Sequence, residues 1–160
     1  MAVGRLTART LWGAAVVLPL LAVALALLSQ HRFGMEPCPW CVLQRVIFLA
    51  IALAALPAWL VAARPVRWAG AGLVLALAAA GVAAALWQHF VAAASASCNL
   101  TLADRIVGGL GLDALLPEVF EPRASCADAA VKLLGLPYEF WSLGLFVALA
   151  AVVVAALRRA

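Results

Sequence analysis

Apolar residues dominate four long stretches of the chain, and polar residues are confined mainly to the segments between them. These charge-free runs contain 18 or 19 residues each and cover residues 11–28, 46–63, 69–87 and 140–157. A helix needs roughly 20 such residues to cross about 30 Å of hydrocarbon. Pro19 and Pro57 interrupt the first two runs, but a membrane helix tolerates proline as a kink. The pattern therefore predicts four transmembrane helices.

The third run is rich in alanine and contains three glycines, Gly70, Gly72 and Gly81. Small residues let helix backbones approach each other closely in a membrane. We therefore expect an all-α membrane protein, a four-transmembrane-helix bundle, with the third helix at its centre.

The first run also allows an alternative interpretation as a cleaved signal peptide. Arg5 and Arg9 precede it, and Ala24-Leu25-Ala26 resembles a cleavage site. The run is longer than the usual signal core of about 7–15 apolar residues, which favours a retained helix.

Arginines mark one end of each predicted helix and so indicate the orientation. They precede the first helix, connect the second to the third and follow the fourth, at Arg5, Arg9, Arg64, Arg67, Arg158 and Arg159. The positive-inside rule assigns these segments, with both termini, to the cytoplasm. We predict a single integral membrane domain over residues 1–160, with helices at about 11–28, 42–63, 68–87 and 140–157 and outer loops at 29–41 and 88–139.

Composition supports the membrane interpretation and excludes other classes. Hydrophobic residues make up 68% of the chain and charged residues 11%, against roughly 45–50% and about 25% in soluble domains. The net charge of +4 does not indicate nucleic-acid binding, because the arginines lie at the ends of apolar runs. We therefore expect membrane lipid, and no nucleic acid, around this chain.

All four cysteines fall on the predicted outer side, at Cys38, Cys41, Cys98 and Cys126. Disulfides persist in oxidising compartments, so the set indicates two disulfides. Four cysteines allow three connectivities; the short spacing favours Cys38–Cys41, which leaves Cys98–Cys126. A zinc site is the alternative, but structural zinc sites usually combine two closely spaced ligand pairs. Cys98 and Cys126 have 27 residues between them, so we predict no metal.

The Cys38–Cys41 pair lies where a polar loop meets the second apolar run. A bridge that closes so small a loop adds little stability through loop entropy, so a redox role is favoured over a structural one. Cys41 and Arg45 are an i, i+4 pair and share a helix face. The helix N-terminus and the cation would both favour a thiolate at Cys41. Alternatively, Arg45 only extends to the membrane interface.

The second outer loop contains a pattern typical of a short amphipathic helix, which would lie on the membrane surface. We expect it to hold Cys126 near Cys38; alternatively, the segment merely covers the bundle. Two histidines, His31 and His89, follow glutamines at outer helix ends, where an interfacial hydrogen-bonding role is the simplest interpretation. We retain His89 as a candidate residue near a cofactor. The apolar face of the amphipathic helix comprises Leu112, Leu115, Leu116, Val119 and Phe120.

Residues 37–45, Pro-Cys-Pro-Trp-Cys-Val-Leu-Gln-Arg, resemble the signature of the DsbB family of bacterial disulfide bond formation proteins. Residues 116–120, 125–127 and 134–137 resemble the second outer loop of that family. The resemblance implies an inner-membrane, quinone-dependent protein disulfide oxidoreductase. Such an enzyme reoxidises DsbA, a periplasmic thiol oxidase, and passes the electrons to a membrane quinone, either ubiquinone or menaquinone.

The resemblance also implies a role for each site residue. Cys98 would form the mixed disulfide with DsbA, and Cys126 would be its partner. Cys38 would exchange with Cys126, Cys41 would face the quinone, and Arg45 would bind a quinone ring oxygen. The alternatives are a vitamin-K-epoxide-reductase-like enzyme, a membrane thiol transporter and a non-catalytic membrane protein with structural disulfides. A transporter would need cysteines within the helices or on the cytoplasmic side, where the sequence has none.

Overall fold

The computed structural model describes residues 7–94 and 101–159, which form a bundle of four membrane-length helices. The described part of the predicted second outer loop contains three short helices and a two-stranded hairpin. The elements are α1 (Ala8–Phe33), α2 (Pro39–Leu60), α3 (Arg64–Trp87), which continues as a π-helical turn (Gln88–Ala92), α4 (Leu102–Gly109), α5 (Leu112–Leu115), α6 (Pro117–Phe120), β1 (Lys132–Leu133), β2 (Leu136–Pro137) and α7 (Tyr138–Leu157). The predicted four-helix membrane bundle is confirmed.

The four long helices pack side by side in a closed ring, in the order α1, α2, α3, α7. Gly81 allows α3 and α7 to approach, because a Cβ at this position would overlap the ring of Phe146. That ring stacks on Phe48 of α2 with 4.1 Å between the centroids. The expectation that the third helix is central was wrong. In the most apolar window of each helix, 61% of the residues are buried for α2 but only 33% for α3. Helix α2 is more buried because the outer loop covers it.

Helix α1 extends beyond the predicted boundary at residue 28 and ends at Phe33. Polar residues do not stop a helix by themselves; the helix ends at Gly34, whose φ of 64° places it in the left-handed region that suits a glycine C-cap. The extension has a consequence for the site, because it keeps Gln30 within the helix, where its side chain is buried.

The outer loop differs from the single amphipathic helix predicted over residues 112–120. Two single turns, α5 and α6, replace it, with Leu116 between them at φ −138° and ψ 72°. Pro117 is the physical reason, because a proline disfavours the helical conformation of the residue before it. The amphipathic segment with more than one turn is α4, which the hydropathy pattern did not reveal. Thr101 and Asp104 form a capping box at its start.

The loop helices dock on the N-terminal half of α2 through a small apolar cluster. Val107 of α4 and Phe120 of α6 pack there against Val42 of α2, and all three are buried. Leu115 and Leu116, which the pattern placed on the same face, are instead 72% and 52% exposed. The loop is therefore fastened to the protein by part of the predicted face, and the rest points outward.

A short hairpin precedes α7. Its strands pair antiparallel, with Leu133 opposite Leu136. The two turn residues, Leu134 and Gly135, have φ values of 52° and 84°, as a tight two-residue hairpin turn requires. Trp141 donates a hydrogen bond from its indole nitrogen to the carbonyl of Leu133 at 3.2 Å. The hairpin is thereby held against the first turn of α7.

Candidate functional site

Cys38 and Cys41 lie at the first turn of α2. Cys38 is the N-cap residue, and its Sγ accepts a hydrogen bond from the Cys41 backbone N–H at 3.3 Å. Pro39 follows at the first helical position, where the missing N–H has no intrahelical partner to lose. The two Sγ atoms are 2.8 Å apart. Only small movements therefore separate the two thiols from a disulfide.

Cys126 reaches the same place from the second outer loop. Its thiol is within hydrogen-bonding distance of Cys38, and both side chains are buried. The backbone N–H groups of Arg123 and Ala124 donate to the carbonyl of Pro37, at 2.9 and 3.3 Å. These bonds dock one loop on the other just before each cysteine. Three of the four cysteines that were predicted as site residues therefore lie together, while Cys98 lies outside the described residues.

The contact between Cys38 and Cys126 shifts the pKa values of the two thiols in opposite directions. The hydrogen bond to Cys38 lowers the pKa of the Cys126 thiol. The same bond, the hydrogen bond to Cys41 and burial all raise the pKa of Cys38. The shared proton therefore stays on Cys38 and is donated to the Cys126 sulfur. Because the thiolate is the nucleophile in disulfide exchange, Cys126 is the better nucleophile of the pair.

Arg45 lies one turn below Cys41 and is only 6% exposed. Its Nη1 donates to the side-chain oxygen of Gln30 and to the carbonyl of Val119, both at 2.9 Å. Gln30 in turn donates to the carbonyl of Glu118 at 3.4 Å. Arg45 therefore connects α1, α2 and the outer loop inside the protein.

Two glutamines approach Cys41 from the other side. Gln44 donates from Nε2 to Oε1 of Gln88 at 2.7 Å, and Gln88 donates from Nε2 to the Cys41 Sγ at 3.2 Å. Both amides are 3% exposed. Cys41 therefore has an amide donor from α3 directly on its sulfur.

A cavity of about 750 Å³ opens beside these groups. Its lining includes Leu21 and Leu25 of α1, which are 52% and 62% exposed. The cavity therefore borders on the exposed side of α1. The wall is mostly apolar, and its polar side chains are Ser29, Glu36, Cys41, Gln44, Arg45, Gln88, Asp128, Tyr138, Glu139 and Ser142. Such a lining is typical of small-molecule sites.

His89, the candidate cofactor residue, is not part of the cavity wall. Its Nδ1 lies 2.7 Å from a carboxylate oxygen of Glu139, and Glu139 does line the cavity. Glu139 is 5% exposed, whereas the His89 side chain is 33% exposed. His89 therefore reaches the cavity only through its acidic partner.

Sequence reasoning missed four buried polar side chains at the site, namely Gln30, Gln44, Gln88 and Glu139. Gln44 and Glu139 lie beside or inside apolar segments, and Gln30 and Gln88 each precede a histidine. An uncharged amide next to a membrane helix is itself a signal, because a polar group at that depth needs a partner. The signal does not say which partner.

Comparison with known proteins is consistent with this geometry. Residues 8–156 match the family model of Disulfide bond formation protein DsbB. Disulfide bond formation protein B of Ralstonia nicotianae is 34% identical over 137 residues, which cover 86% of each chain. The protein of the same name from Aromatoleum aromaticum is 37% identical over 138 residues, 81% of this chain and 82% of the relative. Disulfide bond formation protein B 2 of Pseudomonas aeruginosa is 30% identical over 144 residues, 87% of this chain and 84% of the relative. The chain therefore belongs to the DsbB family of disulfide bond formation proteins.

Proposed function

We propose that this membrane oxidoreductase reoxidises a DsbA-type periplasmic dithiol oxidase and passes the electrons to a membrane quinone. The order of the sulfur atoms carries the proposal. Cys126 contacts Cys38, Cys38 lies 2.8 Å from Cys41, and Cys41 lines the cavity. Disulfide exchange proceeds by attack of a thiolate on an adjacent sulfur. A chain of neighbouring sulfurs that ends at a cavity suits the transfer of electrons from a protein to a small acceptor.

In the outer loop, two thiols of DsbA are oxidised at the expense of a Cys98–Cys126 disulfide. A DsbA thiolate attacks Cys98, and the bonding electrons leave with Cys126. The second DsbA thiolate then breaks the mixed disulfide, which releases oxidised DsbA and a reduced Cys98. Two electrons have now moved from DsbA to the pair Cys98 and Cys126.

The next exchange moves the electrons to the membrane boundary. The Cys126 thiolate attacks Cys38 of a Cys38–Cys41 disulfide, and Cys41 leaves as a thiolate. Cys98 then attacks Cys126, which restores the outer disulfide and frees Cys38. The adjacency of Cys126 and Cys38 supports this exchange, since an attacking sulfur must lie next to the sulfur that it attacks.

The residues around the cavity fit a quinone. The volume of about 750 Å³ lies within the roughly 300–1,000 Å³ usual for small-molecule sites. Within the described residues only Nη1 of Arg45 has hydrogen-bond partners, which leaves the Nη2 and Nε protons for a ring oxygen. When bound, a quinone supplies an acceptor for two electrons and two protons. Cys41 and Cys38 give up that number when they close their disulfide.

Energetics also favour such an acceptor. DsbA has a potential near −120 mV, and the glutathione pool lies near −200 mV, with about 1.4 kcal/mol for each 30 mV in a two-electron transfer. Glutathione disulfide would therefore have to oxidise DsbA uphill by about 4 kcal/mol. A membrane quinone avoids this difficulty and reaches the cavity through the lipid.

Anaerobic mixing of the purified protein with reduced DsbA and with either ubiquinone or menaquinone tests the proposal. We expect the absorbance of one of the two quinones to fall by one quinone for each DsbA oxidised. A Cys41→Ser variant is the matched control and should leave the quinone unreduced. Oxidation of more DsbA than the protein's own disulfides can account for, with neither quinone consumed, would refute the quinone as acceptor.

The role of Cys98 is tested by removing its partner. When the reduced Cys126→Ala variant is mixed with oxidised DsbA, we expect the Cys98 thiolate to attack the DsbA disulfide. The resulting mixed disulfide, with the second DsbA cysteine released as a thiolate, should be visible as a larger species on a non-reducing gel. Cys98→Ala is the matched control and should show no such species. A complex that instead requires Cys126 would exchange the two roles.

We also propose cytoplasmic termini, periplasmic cysteine loops and one integral membrane domain over residues 1–160 in the bacterial inner membrane. The arginine distribution supports this orientation. A reporter that is active only in the periplasm should be silent when fused after Arg67 and active when fused near Asp113. Activity of the Arg67 fusion would overturn the orientation.

A further inference from the structure

Two buried amides form a hydrogen-bonded chain that ends on a reacting sulfur. Gln44 donates to Gln88 at 2.7 Å, and Gln88 donates to the Cys41 Sγ at 3.2 Å. Both glutamines are 3% exposed and both line the cavity. A buried primary amide is costly unless its donors and acceptors are used, so each contact of this chain helps to keep the other in place.

The contacts fix the direction in which the Gln88 amide points. Its Oε1 is occupied by the Nε2 of Gln44, so its own Nε2 faces the sulfur. We propose that Gln88 is a catalytic hydrogen-bond donor to the Cys41 sulfur and that Gln44 is the positioning residue that orients it. This assignment rests on the proposed function, in which Cys41 is the sulfur beside the electron acceptor.

The chemistry needs a donor at this atom. When the Cys126 thiolate attacks Cys38, the Cys38–Cys41 bond breaks and its electron pair moves to the Cys41 sulfur. Gln88 donates an N–H to that negative charge, and a hydrogen bond to a charged acceptor is stronger than one to a neutral group. A carboxamide keeps its N–H at any ordinary pH. It therefore stabilises the leaving sulfur without itself taking up or losing a proton.

Gln88 and Arg45 act on Cys41 in different ways. Arg45 shares the α2 face of Cys41 and supplies a full charge, whereas Gln88 reaches the sulfur from α3 with a directed N–H. Gln88 also begins the π-helical turn Gln88–Ala92 that continues α3. Such turns occur frequently at functional sites.

The test measures the thiolate of Cys41 directly, without quinone or DsbA. All proteins carry Cys38→Ser, which keeps a side chain able to cap the helix and prevents the disulfide. The reduced, full-length protein is alkylated with iodoacetamide over a range of pH values. Mass spectrometry then reads the rates at Cys41 and Cys126 separately. The variants are Gln88→Leu, Gln88→Glu and Gln44→Leu.

We expect Gln88→Leu to move the midpoint of the Cys41 profile to higher pH by about one to two units, as for the loss of a hydrogen bond to a charged group. Below the midpoint the alkylation rate should fall about ten- to a hundredfold. Gln88→Glu should move the midpoint at least as far, because it replaces the donor with a negative charge of the same shape. Gln44→Leu should give a smaller shift in the same direction, and the Cys126 profile is the internal control.

An unchanged Cys41 midpoint in folded Gln88→Leu would overturn the proposal, as would a midpoint at lower pH in Gln88→Glu. If Gln88→Leu does not fold, the Cys41 midpoint is measured in Gln44→Leu instead, because this variant leaves Gln88 in place. An unchanged midpoint in Gln44→Leu would then overturn the proposal. The outcome is separable from the proposed function. If the midpoint shifts in a protein that reduces no quinone, the Gln88 assignment stands and the proposed quinone reaction is rejected. If the midpoint does not shift in a protein that reduces quinone, the quinone reaction stands and the Gln88 assignment is rejected.

Discussion

Replacing Arg45 with methionine tests how much a fixed cation contributes to electron transfer from Cys41. The i, i+4 spacing places the two side chains roughly 5–6 Å apart. At an effective dielectric constant of about 20, opposite unit charges at that separation attract by about 3 kcal/mol. We therefore expect kcat/KM for the quinone to fall by about a hundredfold, within the roughly 10–1,000-fold range of a lost preorganised donor. The apparent KM for the quinone should rise and kcat should fall.

The contacts of Arg45 predict a second effect that the charge alone would not. Its Nη1 also holds the Val119 carbonyl of the outer loop and the side chain of Gln30. Arg45→Met leaves both acceptors without this donor, at a cost of about 1–3 kcal/mol for each group that stays buried. Docking of the loop should therefore weaken, and exchange between the two disulfides should slow by a few fold.

Two assays separate these effects. Steady-state oxidation of reduced DsbA against quinone concentration reports the quinone step. Quenched exchange between the two loops without quinone reports the docking. Arg45→Lys is the matched control, since it keeps the charge but has only one nitrogen to donate, and we expect it to recover more of the quinone step than Arg45→Met does. Unchanged quinone kinetics in Arg45→Met would refute the role of the cation.

Two further predictions follow from packing and from the thiol pair. Gly81→Ala should lower the free energy of unfolding by about 1–3 kcal/mol, because the added methyl group overpacks against Phe146, and the thermal midpoint should fall with it. Gly72→Ala is the control, since a Cβ there has open space, and it should leave the midpoint unchanged or raise it. Cys38→Ala should raise the pKa of Cys126 toward its ordinary value, because the hydrogen bond that lowers it is lost; the alkylation profile of Cys126 should then shift to higher pH, and a shift to lower pH would contradict the assigned direction of the bond.

Local patterns in the sequence determined the membrane helices and one half of the site. Four apolar runs of spanning length predict four helices, because a helix satisfies its backbone hydrogen bonds within a single segment, as lipid requires. Cys38, Cys41 and Arg45 lie within eight residues of each other. Helix geometry alone therefore puts the second thiol and the cation on one face. The resemblance to a known family came from the same short stretch together with segments of the second outer loop.

Contacts between distant parts of the chain were decided only by the tertiary structure. The amide of Gln88 and the sulfur of Cys41 are 47 residues apart, and Arg45 and the Val119 carbonyl are 74 apart. The long helices are apolar on most sides, so no polar stripe indicates which face turns inward. The sequence shows that Gln88 is a polar residue near a membrane helix, but the rotation of α3 against α2 decides that it meets Cys41.

The outer loop shows the same division. The sequence predicts an amphipathic segment that brings Cys126 toward Cys38, and the two thiols do meet in the structure. What holds them there is the pair of backbone bonds from Arg123 and Ala124 to the Pro37 carbonyl. Backbone bonds of this kind leave no trace in residue identity, because every residue except proline carries the same donor and acceptor. Local spacing thus determines which groups are available, and long-range packing decides which of them touch.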